Sequence, residues 1–427
     1  MNSAEQYNAD IQRHFKFNFT VNLLDVATFM FGSSFISSSG VLLIYVTHFT
    51  QNPLLIGLIS VISTAGYLLP QLFTANLVER APLKKFFPFV LGFFFERIPV
   101  FLLAPAVFLL AVRYPSQALW AFFLLFAWQT FGAGLLMVGW QDMIAKIIPV
   151  QSRGRFFGLS NFIGNSAGIL GAGAVSWLLA QNEFPWGFIW SFCIASVFIF
   201  ISWVFLGLTR EPPTLSPKPV ISHREYFKAL PAVLRSNLNF QRYLLTQIIS
   251  SFGAMAAGFL LVYAMQRWPM SDGQAATYGV TLLIGQSLAN LFLGFLADRK
   301  GHKLVLEISI LANIFCFILA LFAPSALWFY AIFILRGVTL AGNFISGLSL
   351  PLEFSEPQDR PTYIGLASTL PGAAGAISPF LAGILAGLIG YPWLFAITAA
   401  LAVLAFGMMK WLVRDPRHLT KESPHAS

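Results

Sequence analysis

Long apolar runs separated by short polar breaks recur along the whole of this 427-residue chain. A helix needs about 20 consecutive apolar residues to cross a bilayer. Runs of that order fall at approximately 19–47, 54–75, 88–112, 118–148, 156–180, 186–208, 243–266, 275–297, 304–323, 326–351, 362–388 and 391–413. The pattern therefore predicts an all-α membrane protein with twelve transmembrane helices. Pro99 and Pro105 in the third run and Pro371 and Pro379 in the eleventh are compatible with this, because neighbouring helices can satisfy the carbonyls a proline frees. The longest polar stretch, 209–242, holds Pro212, Pro213, Pro217, Pro219 and six Lys or Arg, and it splits the helices six and six. The predicted organisation is an N-tail 1–18, a six-helix bundle 19–208, a linker 209–242, a second bundle 243–413 and a C-tail 414–427.

Composition changes the picture by exclusion. With 57% hydrophobic and only 10% charged residues, the chain is too apolar for a soluble globular protein of this size. The formal charge of +9 is confined to short clusters between apolar runs, where anionic lipid is the expected partner rather than nucleic acid. Of the 26 Lys and Arg, 22 lie in the two tails, in the loops after helices 2, 4, 6, 8 and 10, or at the adjoining helix ends. Only Arg113 and Arg267 fall on the other face, so both termini are expected in the cytoplasm of a multi-pass inner or plasma membrane protein. That orientation leaves the sequon Asn18-Phe19-Thr20 unused, and nothing in 1–18 resembles a cleavable signal. Cys193 and Cys316 sit in apolar runs and read as small hydrophobes. No phosphate-binding G-x-x-x-x-G-K-[ST] loop and no His or Cys cluster with metal spacing occurs, so neither ATP drive, a metal, a cofactor nor an enzymatic activity is expected.

The most specific stretch is Gly294-Phe-Leu-Ala-Asp298-Arg299-Lys300-Gly301-His302-Lys303, a polar turn between two apolar runs. Gly294 permits close helix approach and Gly301 a sharp reversal, while Arg299, Lys300 and Lys303 suit the headgroup layer. Asp298 wants an Arg or the positive end of a helix. Ala75-Asn-Leu-Val-Glu79-Arg80-Ala-Pro82-Leu-Lys84 is a degenerate copy of this turn. Arg153 and Arg360 open corresponding helices, and Arg210 and Arg414 close corresponding ones. The three Arg landmarks are displaced by 219, 207 and 204 positions, the mark of an internal repeat. The Gly294 turn resembles the G-x-L-A-D-R-x-G-[RKH]-[RK] signature of the major facilitator superfamily, and the resemblance extends between the two tails. It implies two pseudo-symmetric six-helix bundles around a central cavity lined by helices 1, 4, 7 and 10. It also implies alternating access, with the turn as a cytoplasmic gating latch, and a monomer carrying a small-molecule substrate, commonly with protons.

Candidate chemistry lies in polar groups placed where they are costly. Asp25, Glu96, Arg97 and Arg336 fall well inside predicted helices, and each costs at least ~2.5 kcal/mol at the bilayer centre. Asp25 heads a stripe with Thr28, Gly32 and Ser39. It reads either as a proton carrier or as a packing residue bonded to Arg97 or a backbone amide. Arg336 shares a face with Asn343 and Gly347, and is expected either to bind an anionic group and act on Asp25 across the cavity, or to fix one helix to another. In helix 4 the repeat places Trp128 where the resembling family usually carries an arginine, with Gln129 the only strongly polar neighbour. Adjacent Glu96 and Arg97 lie about 100° apart on an ideal helix and cannot both enter one cavity, so a structural role is expected for this intramembrane ion pair. Helix 7 offers Gln247, Ser250, Ser251, Ala254 and Gly258 as another polar and small wall. Helix 5 carries Gly158, Gly164, Gly168, Gly171 and Gly173, close to the resembling family's antiporter pattern but without its proline. The expected activity is proton-coupled efflux of a small organic solute. The alternatives are an uptake symporter for a sugar, peptide or organic anion, and a non-transporting sensor.

Overall fold

The computed structural model describes residues 3–37, 41–50, 53–68, 70–214, 221–269 and 272–419, so Ser39, Pro217 and Pro219 lie outside the described residues. The chain divides into two compact units, Met1–Pro149 with Ile163–Val220, and Val150–Phe162 with Ile221–Ser427. The second cut falls inside the predicted linker. The first assigns the opening turns of the fifth long helix to the second unit.

The first unit is built from α1 (Ser3–Ser34), α2 (Val41–Thr47), α3 (Pro53–Leu68), α4 (Pro70–Arg80), α5 (Ile98–Leu110), α6 (Pro115–Ile147), most of α7 (Val150–Gln181) and α8 (Trp186–Leu208). Two π-helical turns, Phe87–Leu91 and Phe93–Arg97, lead into α5. The second has a local cause. Pro99 has no N–H to offer the Phe95 carbonyl four residues back, and Gly132 of α6 lies against that carbonyl, where any β-carbon would collide with it. The core gathers around Tyr45, whose ring meets Phe122, Phe188 and Phe192 at centroid distances of 5.4, 5.3 and 5.8 Å. Leu124 and Trp177 on the outer faces remain exposed, as suits contact with acyl chains.

In the second unit, α9 (His223–Ser236) lies within the predicted linker and starts at a Ser222/Glu225 capping box. It buries Tyr226 and Leu230, and the Tyr226 hydroxyl shares a hydrogen bond with Thr362. There follow α10 (Leu238–Phe252), α11 (Phe259–Arg267), α12 (Asp272–Lys300), α13 (His302–Phe322), α14 (Trp328–Glu353) and α15 (Arg360–Gly407). The run 243–266, expected as one helix, is broken between α10 and α11. There the backbone turns to shorter-range bonds, Ala254 N–H to Ser251 O at 3.2 Å and Phe259 N–H to Ala256 O at 2.9 Å. Gly253 and Gly258, the two poor helix formers of this stretch, bracket the break. The core here is again aromatic, with Tyr263, Phe317, Phe329 and Phe395 buried together.

Among the described residues, nine helical stretches are long and apolar enough to cross a membrane. The last, Arg360–Leu412, joins two predicted runs whose division is marked by Gly390 at φ 78° and Pro392. Gly301, at φ 100°, separates α12 from α13. A β-carbon there would lie 2.9 Å from an Asp415 carboxylate oxygen. Gly301→Ala is therefore expected to cost about 1–2 kcal/mol and to lower the unfolding midpoint of the purified protein, whereas Arg299→Ala on the exposed helix end should leave it unchanged. Equal midpoints for the two variants would contradict the strained turn.

Candidate functional site

The first unit concentrates charge at one place. Asp25 of α1 is buried and accepts a hydrogen bond from the Ser202 hydroxyl of α8 at 2.6 Å, with the Trp140 indole of α6 as a second donor. Glu96 and Arg97, on the π-helical turn, pair with each other and both act electrostatically on Asp25. Gly92 leaves the space into which the Arg97 guanidinium folds, and the Phe29 ring lies 5.8 Å from the guanidinium carbon. Tyr67 of α3 is the neighbouring phenol of Glu96. Two buried carboxylates thus lie in the field of one guanidinium, which forms its ion pair with Glu96. If all three were ionised the group would carry one net negative charge, so one proton is the natural neutralising partner.

The stripe expected on α1 is partly used for packing. Gly32 sits against the Ala195 carbonyl and Ile199 of α8, and Thr28 bonds back to the Leu24 carbonyl at 2.7 Å. Two further rungs tie α1 to the chain beyond α8. Asn18 donates to the Arg210 carbonyl at 2.8 Å and accepts from its N–H at 2.9 Å, and Asn22 donates to Thr209 Oγ1 at 3.1 Å. The second unit repeats the first rung, with Asn239 clasping the Arg414 backbone at 2.8 and 2.7 Å. The repeat legible in Arg210 and Arg414 is therefore a repeat of hydrogen bonds.

In the second unit Asp298 takes both kinds of partner. Its carboxylate accepts from the Gly154 and Arg155 N–H groups at 2.7 and 2.9 Å and from Arg155 Nε at 3.2 Å. Gly294 lies against Gly154 and Gly158, so glycine on both sides permits this approach. Arg299 and Lys300 are exposed, and Lys303 pairs with Glu307 at 3.3 Å. His302, which takes a basic position of the turn, is instead buried, with Nδ1 3.1 Å from the Ser346 hydroxyl. Arg417 holds Glu353 at 2.9 Å and reaches the Asp298 carbonyl at 3.3 Å.

The degenerate first turn is tied down differently. Glu79 is buried with Arg80 3.4 Å away, and Lys84 lies 3.6 Å from Asp142. Glu211 accepts from the Lys84 and Lys85 N–H groups at 2.9 and 2.7 Å and from Lys146 Nζ at 2.8 Å. Burial pushes both lysine ammonium groups below the ordinary lysine range, against the opposing pull of Asp142 and Glu211 on Lys84 and of Glu211 on Lys85.

Other expected residues take separate places. Arg336 is buried and donates to Asn313 Oδ1 at 2.7 Å. Asn343 and Gln247 are half-buried on α14 and α10, and Gln129 is half-buried on α6 beside the more exposed Trp128. Ser251 donates to the carbonyls of Gln247 and Pro371 at 3.0 and 3.2 Å. Of the α7 glycines, Gly158, Gly164 and Gly171 pack against other helices, while Gly168 and Gly173 face open space. Sequence reasoning passed over Ser202, Trp140, Asn313 and Glu211. The first three were legible only as polar or indole groups inside apolar runs.

Comparison with known proteins follows the same outline. A family model for the Major Facilitator Superfamily matches residues 24–267 and 243–427. The benzoate transport protein of Acinetobacter baylyi is 24% identical over 180 residues, 41% of this chain and 39% of that protein. The multidrug resistance protein MdtG of a Rahnella species is 27% identical over 209 residues, 48% of each chain. The chain spans between 36% and 60% of the length of the first curated relatives it matches. Among solved structures, the E. coli fucose:proton symporter FucP superposes with a TM-score of 0.75 at 17% identity, covering 92% of this chain and 98% of that one, a likeness of fold. Family model, helical architecture and shared fold agree, and the chain belongs to the Major Facilitator Superfamily of membrane transporters.

Proposed function

We propose that the protein is a proton-coupled secondary transporter that moves a small organic solute across the cell membrane by alternating access. The observation that carries the reading is the Asp25–Glu96–Arg97 group, a buried Glu96–Arg97 ion pair acting electrostatically on the buried Asp25 carboxylate. In a low-dielectric setting such a group holds a proton in one state and releases it when water or a new partner arrives. Asp25 is the carrier, Arg97 the fixed counter-charge, and Ser202 and Trp140 orient the carboxylate. Asp298 and its partners latch the second unit's turn, and Arg336, Asn343, Gln247 and Gln129 are solute-facing candidates. Protons and the solute are the partners, the working unit is a monomer, and no reaction is catalysed. Efflux is the direction that the α7 glycine run, close to the antiporter pattern, favours; an uptake symporter is the rival. Flux of a solute panel into proteoliposomes, with and without a pH gradient, tests the reading. Accumulation that follows the gradient supports it, and binding without flux would replace it with a sensor.

Both termini are placed in the cytoplasm on the strength of the Lys and Arg distribution. Cysteines introduced at Ser116, Asn182 and Ser325 are expected to react with an impermeant thiol reagent added outside intact cells, and those at Ser222 and Ser355 only after the cells are opened. The reverse pattern would invert the topology.

A further inference from the structure

Arg336 is a buried cation in the middle of α14, and among the described residues of the second unit no carboxylate pairs with it. The acids of that unit that form ion pairs are engaged elsewhere. Asp298 is held by Arg155, Glu307 by Lys303 and Lys410, and Glu353 by Arg417. The partner Arg336 does have is neutral, Asn313 Oδ1 at 2.7 Å. Asn313 in turn donates through Nδ2 to the Gly253 carbonyl at 2.5 Å, at the point where the backbone breaks between α10 and α11. The guanidinium is thus oriented but not neutralised. A guanidinium presents a planar fork of five N–H donors, and one of these bonds leaves the fork unfilled. Leading away from it on the same face of α14 are Asn343, half-buried, and Gly347, which faces open space. Leu340 and Phe344 beside them are exposed apolar side chains.

From this we infer that Arg336 is the anion-recognising residue of the solute site, and that the solute is an organic carboxylate whose apolar body lies along Leu340 and Phe344. This rests on the transporter reading only for the word solute; the binding claim stands on the uncompensated cation. A carboxylate fits the fork in two parallel hydrogen bonds and supplies the missing charge. Asn313 is a positioning residue. It fixes the guanidinium and links it to the broken backbone, so an anion that draws on Arg336 also acts on the Gly253 carbonyl's partner.

The test uses purified full-length protein and paired probes of matched shape, benzoate with benzamide and hexanoate with hexanamide, read by thermal stabilisation at neutral pH. The acids are expected to stabilise the protein and their amides not. Arg336→Gln should weaken acid binding about 10- to 100-fold, the loss of charge-assisted hydrogen bonds, and remove the preference for acid over amide. Arg336→Lys should retain a weakened preference. A purely structural Arg336 would lower the midpoint in the variants without altering that preference. Should Arg336→Gln not fold, the acid-over-amide preference of the unaltered protein and of Arg336→Lys still decides. No preference in any pair, or a preference untouched by Arg336→Gln, overturns the inference. Acid-selective binding without gradient-driven flux would leave this site standing and remove the transport reading instead. Gradient-driven flux through the unaltered protein with no preference of acid over amide would do the opposite.

Discussion

Asp25→Asn is expected to reduce solute transport driven by a pH gradient to the level of protein-free vesicles while leaving solute exchange measurable. The neutral amide imitates the protonated carboxylate and can still accept from the Ser202 hydroxyl, now 2.6 Å from Asp25, so folding should survive. What is lost is the ability to cycle between two charge states. Glu96→Gln tests the Glu96–Arg97 pair. With one carboxylate gone, Arg97 is free to neutralise Asp25 permanently, and coupling should fail in the opposite sense, with Asp25 held charged. Arg97→Leu should behave unlike either, because it leaves two carboxylates without a cation. Removing one partner of a buried pair costs about 3–5 kcal/mol, so loss of stability is the expected outcome there. Full gradient-driven flux through a folded Asp25→Asn protein would take Asp25 out of the mechanism.

Asp298→Asn is the second large effect, on turnover rather than on coupling. The carboxylate caps the first turns of α7 through the N–H groups of Gly154 and Arg155, where the partial positive charge of a helix start favours an anion. The amide keeps the shape but loses the charge and one acceptor, a change worth about 1–2 kcal/mol in the closed arrangement. That amount moves a two-state equilibrium by roughly 5- to 30-fold. Turnover should fall by about that factor, and the population should shift toward states open to the cytoplasm with the protein still folded. Glu79→Gln in the degenerate copy should change turnover less, since Pro82 stiffens that turn and Lys84, Lys85 and Glu211 tie it to the rest of its unit. Loss of folded protein in Asp298→Asn, without altered turnover in what remains, would make the contact structural only.

Much of this was legible in residues taken singly. Apolar run lengths located most of the long helices, although the runs 19–47 and 243–266 are each divided between two; Gly390 fell at the break between the last two runs, and Gly301 fell at the reversal the turn required. The repeat was visible in three arginines before its hydrogen bonds were. What the sequence hid were pairings between distant positions. Nothing in α1 names Ser202 as the partner of Asp25, because 177 residues separate them. The ion pair of adjacent Glu96 and Arg97 was legible, but its electrostatic reach to Asp25 was not. The π-helical turn Phe93–Arg97, beside Pro99 and Gly132, carries both side chains. The break near Gly253 was hidden because the alanines and Met255 between the two glycines favour a continuous helix, and Asn313, the group that answers it, was one polar residue in an apolar run.

The most direct measurement follows protons rather than solute. Proteoliposomes loaded with a fluorescent pH indicator should report proton movement when a gradient of benzoate or hexanoate is imposed, beyond the passive signal of protein-free vesicles given the same acid. That excess is expected for the unaltered protein, and its loss in Asp25→Asn. Carrier-dependent solute flux with no accompanying proton movement, or proton movement undiminished in Asp25→Asn, would contradict proton coupling through Asp25.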